Sequence, residues 1–165
     1  MTEYYAAPVT SNLPVPVALV AATAKTVLQI NVPSTTDIKL IGWGVSFDGT
    51  AGGSQVPVIC ALFDDSTAAS VGTSLTPINW GNTQAQASLC IGGAALTAYG
   101  CTTEGTLTTP RYLDMEEVSP QTGYGVYWPP SHQPRVGVSR FIHIRCTAPA
   151  VVNVLPWILW AEPAV

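Results

Sequence analysis

The chain has few charged side chains, and this scarcity restricts what its surface can be. Asp, Glu, Lys and Arg make up 10% of its 165 residues, whereas about 25% is usual in soluble domains. A surface with so little charge must be neutral and polar, or it must be covered by other subunits. We therefore expect an obligate oligomer or a component of a larger assembly.

Basic residues and long apolar runs are also scarce. Six Lys and Arg stand against ten Asp and Glu, which gives a net charge of −4 and a pI near 4.9. This balance argues against a surface that binds phosphate backbones. No stretch approaches the roughly 18 uninterrupted apolar residues of a membrane-spanning helix. We predict neither a nucleic-acid partner nor a membrane partner.

No catalytic motif is found in the sequence. It contains no G-x-S-x-G, no H-E-x-x-H and no phosphate-binding glycine loop. The adjacent carboxylates Asp64-Asp65 and Glu116-Glu117 would point to opposite faces of a strand, so we interpret them as solvated turn or rim charges. The two histidines lack the spacing of metal ligands. We predict that the protein is not an enzyme and has no metal and no cofactor.

The four cysteines allow three connectivities with two disulfides, but none forms a C-x-x-C pair. Two of them lie within predicted core strands. We interpret all four as buried free thiols: Cys60, Cys90, Cys101 and Cys146.

Fourteen glycines and fourteen prolines divide the chain into short runs. Val, Ile, Thr and aromatic residues fill these runs, which is typical of short strands. We predict an all-β fold, a two-sheet antiparallel β-sandwich that is jelly-roll-like, with one domain over residues 25–165. Residues 1–24 are rich in Ala, Val, Thr and Pro, and we interpret them as an extended N-terminal arm that lies along its own domain or a neighbour.

Residues 25–49 contain the clearest pattern, two strand candidates around a Pro-Ser-Thr-Thr-Asp turn, which we predict to be a hairpin at the centre of the fold. The first strand is predicted to be half-buried. The second places four apolar residues on one face: Ile41, Trp43, Val45 and Phe47. On its other face Gly42 and Gly44 indicate that another backbone or an aromatic ring approaches closely.

Aromatic residues in or near predicted loops leave two interpretations open. Trp80, Tyr124, Tyr127 and Trp128 could stack on sugar rings, as flat aromatics do in carbohydrate-binding sandwiches. They could also fill the core or a subunit interface, where aromatics are enriched. The low charge favours the second interpretation.

Several turn and strand segments resemble small structural proteins of tailed phages that infect actinobacteria, which are head decoration or minor capsid proteins. The densest similarity lies at Thr26-Val27-Leu28-Gln29-Ile30, Pro33-Ser34-Thr35 and Trp43-Gly44-Val45-Ser46-Phe47-Asp48-Gly49. Further similarity lies at Glu104-Gly105-Thr106, Val118-Ser119-Pro120, Gly123-Tyr124, Ile144-Arg145-Cys146-Thr147-Ala148-Pro149-Ala150 and Val152-Asn153.

The resemblance implies a jelly-roll or related sandwich that assembles, as a homotrimer, on the outer surface of an icosahedral capsid. It implies that the protein ties neighbouring major capsid proteins together and is assembled in the host cytoplasm. A head-fibre or tail module that recognises host surface glycans is the alternative. The candidate interface residues are arm residues, the two glycines, aromatics and one histidine: Tyr4, Tyr5, Leu13, Val17, Leu19, Gly42, Gly44, Trp80, Tyr127, Trp128 and His143.

Overall fold

The computed structural model describes residues 1–11, 13–48, 56–70, 72–81 and 86–163. These residues form strands and turns without a helix, which confirms the all-β prediction. The strands are β1 (Thr2–Ala6), β2 (Val9–Thr10), β3 (Leu13–Pro14), β4 (Val17–Leu19), β5 (Ala24–Asn31), β6 (Ile38–Phe47), β7 (Val58–Asp65), β8 (Thr73–Ser74), β9 (Ile78–Asn79), β10 (Ala98–Tyr99), β11 (Arg111–Val118), β12 (Tyr124–Tyr127), β13 (Arg135–Val136), β14 (Phe141–Thr147) and β15 (Val152–Glu162).

The described strands pair antiparallel in two large sheets and one small hairpin. The first sheet has the order β12-β6-β15-β1-β9, with β13 also on β6 and β4 also on β15. The second sheet has the order β11-β7-β14-β5-β10-β8, and β2 pairs with β3. Both sheets contribute to one apolar core, in which Trp43 and Trp160 of the first sheet are fully buried with Leu62 of the second. The arrangement is a sandwich, as predicted.

The predicted hairpin at residues 25–49 is wrong, because its two strands belong to different sheets. Strand β5 pairs with β14 and β10, whereas β6 pairs with β15, β12 and β13. The turn between them is a corner of the sandwich. Backbone hydrogen bonds from Val32 N to Arg140 O and from Ser139 N to Pro33 O join this corner to the segment that leads into β14 of the second sheet.

A β-bulge interrupts the strict alternation predicted for β6. Leu159 lies opposite Gly42, but Trp160 lies opposite Leu40, so Ile41 is an extra residue without a partner on β15. The side chains of β6 switch faces at the bulge. As a result, those of Leu40 and Trp43 both enter the core. Ile41 is therefore not on the core face, contrary to the prediction, while Trp43 and Val45 are.

Strand β5 is buried on both faces, so its prediction as half-buried is also wrong. Gln29 lies on the outer face of the second sheet, yet it is 0% exposed. Its Nε2 donates to the Leu96 carbonyl at 2.7 Å, and its Oε1 accepts from the backbone N–H of Ala69 at 2.8 Å. Two loop segments thus cover a face that local alternation assigned to solvent.

The extended N-terminal arm is not confirmed. Strand β1 lies within the first sheet, between β15 and β9, and β4 pairs with the start of β15. Tyr4 is buried, its ring lies 6.1 Å from that of Trp160, and its hydroxyl donates to the Gln86 carbonyl at 2.9 Å. The segment is part of its own sandwich.

The Asp64-Asp65 pair is buried, contrary to its interpretation as solvated charge. Asp64 accepts hydrogen bonds from Arg111 Nε at 2.8 Å and from Arg140 Nε at 2.6 Å. Asp65 accepts from the backbone N–H groups of Thr108 and Thr109. Burial raises the pKa of the Asp65 carboxyl, but these N–H donors outweigh burial and hold the pKa below its ordinary value. The opposite orientation of the two neighbours is as predicted, and each has its own partners.

Candidate functional site

Four aromatic side chains form a row across the outer face of the first sheet. We call Trp80, Tyr5, Trp157 and Tyr127 the aromatic row. Its ring centroids are separated by 5.2 Å between Trp80 and Tyr5, by 6.4 Å between Tyr5 and Trp157, and by 5.2 Å between Trp157 and Tyr127. The angles between successive ring planes are 39°, 22° and 31°. The row runs across the strands from the end of β9 to β12.

Glycines on β6 and β12 allow the rings to lie close to the sheet. A Cβ at Gly44 would lie 2.5 Å from Trp157 Nε1, and one at Gly125 would lie 3.3 Å from Trp157 Cζ2. A Cβ at Gly42 would lie 2.8 Å from Tyr127 Cδ1. The prediction that another backbone or an aromatic ring approaches the glycine face is confirmed, since backbone oxygens of β12 and two rings of the same chain lie there.

The two ends of the aromatic row are the most exposed. Trp80 is 57% exposed and Tyr127 is 63% exposed, while Tyr5 and Trp157 between them are half-buried. Burial, and next the neighbouring Tyr127, raise the pKa of Tyr5. Exposed aromatics at this density are more typical of a binding surface than of an ordinary monomer surface.

The other two aromatics that could have stacked on sugars face inward. The ring of Tyr124 lies 5.3 Å from that of Trp43, and both side chains donate to Asp114 Oδ2 at 2.9 Å. Burial and Asp114 raise the pKa of Tyr124 to about 12. Trp128 is partly buried against the core. Neither residue belongs to the aromatic row.

The remaining candidate interface residues divide by burial. The buried ones are Tyr4, Val17, Leu19, Gly42, Gly44 and His143. These six are covered by their own chain and offer no side chain to a partner. Leu13, in the β2–β3 hairpin, is 68% exposed.

His143 lies on the outer face of the second sheet, but it is buried. Its ring stacks on Phe63 with centroids 4.9 Å apart and planes at 13°, and the Arg145 guanidinium lies 4.9 Å from the same Phe63 ring. Burial, and next the neighbouring Arg145, lower the pKa of His143 to about 4. His143 is therefore a neutral packing residue at pH 7.

A second exposed apolar surface lies at one end of the sandwich, where two grooves flank the turn at residues 20–24. We call it the apolar end. One groove has a volume of about 360 Å³ and is lined by Ala22, Val56, Pro57, Ile59, Glu117, Thr147, Ala148 and Pro149. The other has a volume of about 270 Å³ and is lined by Val20, Thr23, Ala24, Lys25, Cys101, Thr102 and Glu104. Val20 and Ile59 are 61% and 46% exposed.

All four cysteines are free and buried in the structure. Cys60 and Cys146 lie opposite each other on β7 and β14, with their Sγ atoms 3.3 Å apart. Contact with Cys60, together with burial, raises the pKa of Cys146, and burial raises the pKa of Cys101 to about 11. Cys101 and Cys146 therefore keep their protons at neutral pH and act as packing groups.

In the part of the chain that the structure describes, no three His, Cys, Asp or Glu residues cluster to hold a metal ion. The same residues contain no helix with the length and apolarity needed to cross a membrane.

Sequence reasoning missed Trp157. It named Tyr5, Trp80 and Tyr127 as candidates but did not group them, because strands β1, β9 and β12 are distant in sequence. A signal was present in Gly44, since an aromatic side chain commonly covers a strand glycine on the neighbouring strand. Finding the aromatic partner required knowing that β15 pairs with β6.

Comparisons with protein-family models, with curated proteins and with solved structures found no match to this chain. Function must therefore be inferred from the chain's own surfaces and from the sequence resemblance.

Proposed function

We propose that the protein is a structural virion protein of a tailed phage. In this proposal it decorates the outer surface of the assembled head as an oligomer, with a trimer expected, and stabilises contacts between major capsid subunits. The observation that carries the proposal is the apolar end, an exposed pair of grooves on a chain in which only 10% of residues are charged. Apolar surface of this kind is stable in water when another subunit covers it.

The strand order supports the jelly-roll part of the proposal. The four main strands of the first sheet run β1-β15-β6-β12, and those of the second run β5-β14-β7-β11. Numbered as eight successive strands, these orders are 1-8-3-6 and 2-7-4-5, an order that favours two Greek keys wrapped into a double-sheet jelly roll. Jelly rolls occur in viral capsid proteins, but the fold alone does not assign that function.

A decoration protein needs favourable binding free energy for the assembled shell, and it does not need to catalyse a reaction. A protein that binds the assembled shell and not its free subunits shifts the assembly equilibrium toward the shell by mass action. Each bound copy then adds its interface free energy to the resistance of the head against internal pressure. A chain with buried thiols and an apolar contact surface is suited to this role.

Placing a charge in the larger groove tests the proposal. Ile59→Lys puts a cation on the groove floor, where Glu117 lies directly opposite on β11 and can pair with it, so that the fold is preserved. Ile91→Lys is the matched control, because Ile91 is 57% exposed and lines neither groove. Both variants are checked by thermal unfolding before use.

Light scattering of the purified protein and cryo-electron microscopy of the virion are the measurements. We expect density for the protein on the outer head surface, and we expect Ile59→Lys to reduce the oligomer mass or the number of copies bound to the head, while Ile91→Lys changes neither. Density confined to the tail or to fibres would contradict the proposal. A normal oligomer mass and normal head occupancy for Ile59→Lys would also contradict it.

A further inference from the structure

We propose that Cys60 and Cys146 form a disulfide across β7 and β14 when the chain meets an oxidising medium. The structure holds both residues as free thiols, the form that a reducing cytoplasm maintains. The disulfide joins the two strands at the end of the second sheet that lies beside the larger groove. The inference concerns the chain itself and does not rest on the proposed function.

The register of the second sheet places the two cysteines side by side. Cys146 lies directly opposite Cys60, and the pairing of β14 with β7 continues without a shift along the whole of β14. Residues opposite each other on antiparallel strands have Cα atoms about 4.5–5.5 Å apart, and disulfides span Cα separations of about 4.4–6.8 Å. The backbone therefore already has the separation that a disulfide needs.

The two side chains point toward each other. Their Sγ atoms are 3.3 Å apart, and both side chains are 0% exposed within the apolar core. The S–S distance of a disulfide is about 2.05 Å, so the two sulfur atoms must approach by roughly 1.3 Å. Small rotations about the two Cα–Cβ bonds supply this movement and leave the strand pairing intact.

The other two cysteines have different neighbours. Cys90 lies beside the carboxylate of Glu162, and Cys101 lies beside that of Glu104. A carboxylate beside a thiol disfavours the thiolate, which is the form that attacks a disulfide. These two cysteines are therefore expected to remain thiols, which leaves a single bridge.

The oxidant that the reaction requires is a low-molecular-weight disulfide such as oxidised glutathione. One protein thiolate attacks it, forms a mixed disulfide and releases one glutathione thiolate. The second protein thiolate then attacks the protein sulfur of the mixed disulfide and releases the other glutathione thiolate. The two protons that the cysteines lose pass through solvent to the released thiolates. The protein loses two electrons, and the glutathione disulfide gains them.

The pair lies near an end of its strands, where local opening gives an oxidant access. Ile59 and Thr147, the sequence neighbours of the two cysteines, lie opposite each other and both line the larger groove. Ile59 is 46% exposed. Contact with Cys60, and next burial, raise the pKa of Cys146, so exchange in the folded protein is slow and depends on this opening.

The fold and the bridge favour each other. The two cysteines are 86 positions apart in the chain, whereas the folded sheet holds their sulfur atoms in contact, so folding raises their effective concentration. A bridge that closes a loop of this length removes conformational freedom from the unfolded state. The oxidised protein should therefore be more stable than the reduced protein.

Refolding in redox buffers tests the proposal. The purified, full-length protein is unfolded in urea and refolded in buffers that range from reduced to oxidised glutathione, so that burial does not limit access to any thiol. The samples are quenched with acid and alkylated in denaturant. Peptide mapping then identifies the bridged cysteines, and thermal unfolding measures the stability of each form. Cys146→Ala removes the bridge, and Cys101→Ala is the matched control, because Cys101 is also a buried free thiol.

We expect the oxidised protein to contain one disulfide, Cys60–Cys146, and to melt about 5–10 °C above the reduced protein. Cys101→Ala should show the same bridge and the same difference in melting temperature. Cys146→Ala should show neither, and each variant is compared with itself in the two buffers, so that its own loss of stability does not affect the result. If Cys146→Ala does not fold, the peptide map of the natural sequence still decides.

Three results would overturn the proposal. The first is a protein whose four cysteines are alkylated, or carry glutathione, after refolding in oxidised glutathione. The second is a bridge between any other pair of cysteines. The third is an oxidised protein that melts at the same temperature as the reduced protein or below it.

Discussion

At the scale of single residues, His143 is a titratable group whose charged form the fold disfavours. Its ring is stacked on Phe63 and 1% exposed, and burial lowers its pKa to about 4 from an ordinary value of 6.5, with Arg145 acting in the same direction. The opposing contributions come from Glu104, the Thr67 backbone and Asp65. The folded protein therefore binds this proton less readily than the unfolded chain.

This difference predicts a loss of stability on mild acidification. Above pH 6.5 the imidazole is neutral in both states, whereas between pH 6.5 and about 4 only the unfolded chain becomes protonated. The free energy of unfolding should fall over this window, by on the order of 3 kcal/mol at its lower end. Asp65 does not contribute there, because its pKa is lowered from 3.8 and its stabilising effect is lost only below that pH.

Urea unfolding between pH 7 and pH 4 measures the effect. We expect His143→Gln to remove most of the decrease in unfolding free energy over this range. His132→Gln, at an exposed position in the loop after β12, should retain the decrease. An undiminished pH dependence in His143→Gln would assign it to other groups.

At the scale of the elements, contact between β6, β12 and β15 depends on glycine. A Cβ at Gly44 would lie 2.5 Å from both Trp157 Nε1 and the Tyr124 carbonyl oxygen. The carbonyl belongs to the paired backbone of β12 and cannot move without disturbing the sheet. Glycine here is required by a close approach and not by its own conformational freedom.

Gly44→Ala should therefore destabilise the protein by about 2 kcal/mol, as overpacking does in well-packed interiors. Gly137→Ala is the matched control, because nothing lies within 4 Å of a Cβ at Gly137. Thermal unfolding of both variants checks the expectation. Equal melting temperatures for the two would show that the strands can separate locally at low cost.

At the scale of the whole molecule, the N-terminal strand completes the first sheet. Strand β1 separates β15 from β9, and Tyr4 fills core space against Trp160. Removing residues 1–6 would expose the edge of β15 and leave a cavity. Loss of a buried aromatic side chain alone costs about 3–5 kcal/mol, and an exposed strand edge promotes aggregation.

We expect the truncated protein to melt at least roughly 10 °C lower than the full-length protein, given the dependence of Tm on stability for domains of this size. Leu13→Ser, at a side chain that is 68% exposed in the β2–β3 hairpin, should melt normally. Differential scanning calorimetry and size-exclusion chromatography are the measurements. If truncation leaves both unchanged, residues 1–6 are a separable arm after all.

How far the sequence predicts this fold depends on whether a feature is local. In β14 the inward residues Ile142, Ile144 and Cys146 follow a period of two that the sequence alone displays. The same reasoning failed at Ile41, where a bulge set by pairing with β15 shifts the period. It failed again at Gln29, which distant loops cover.

The candidate site shows the same limit. Gly42 and Gly44 indicated correctly that another backbone or an aromatic ring lies nearby, since a bare strand face needs filling. Which rings fill it could not be predicted, because Trp157 and Tyr127 come from β15 and β12, which are distant from β6 in sequence.

The sequence by itself determined the all-β class, the absence of a recognisable catalytic motif and the low charge of the chain, because composition and short-range periodicity specify these properties. Only the tertiary structure decided which strands pair, since hydrogen bonds between strands are made by backbone groups that every residue has. It placed β5 and β6 in different sheets, built β1 and β4 into the first sheet and buried Asp64 between two arginines. It also assembled the aromatic row, which exists only once β12, β6, β15 and β1 lie side by side.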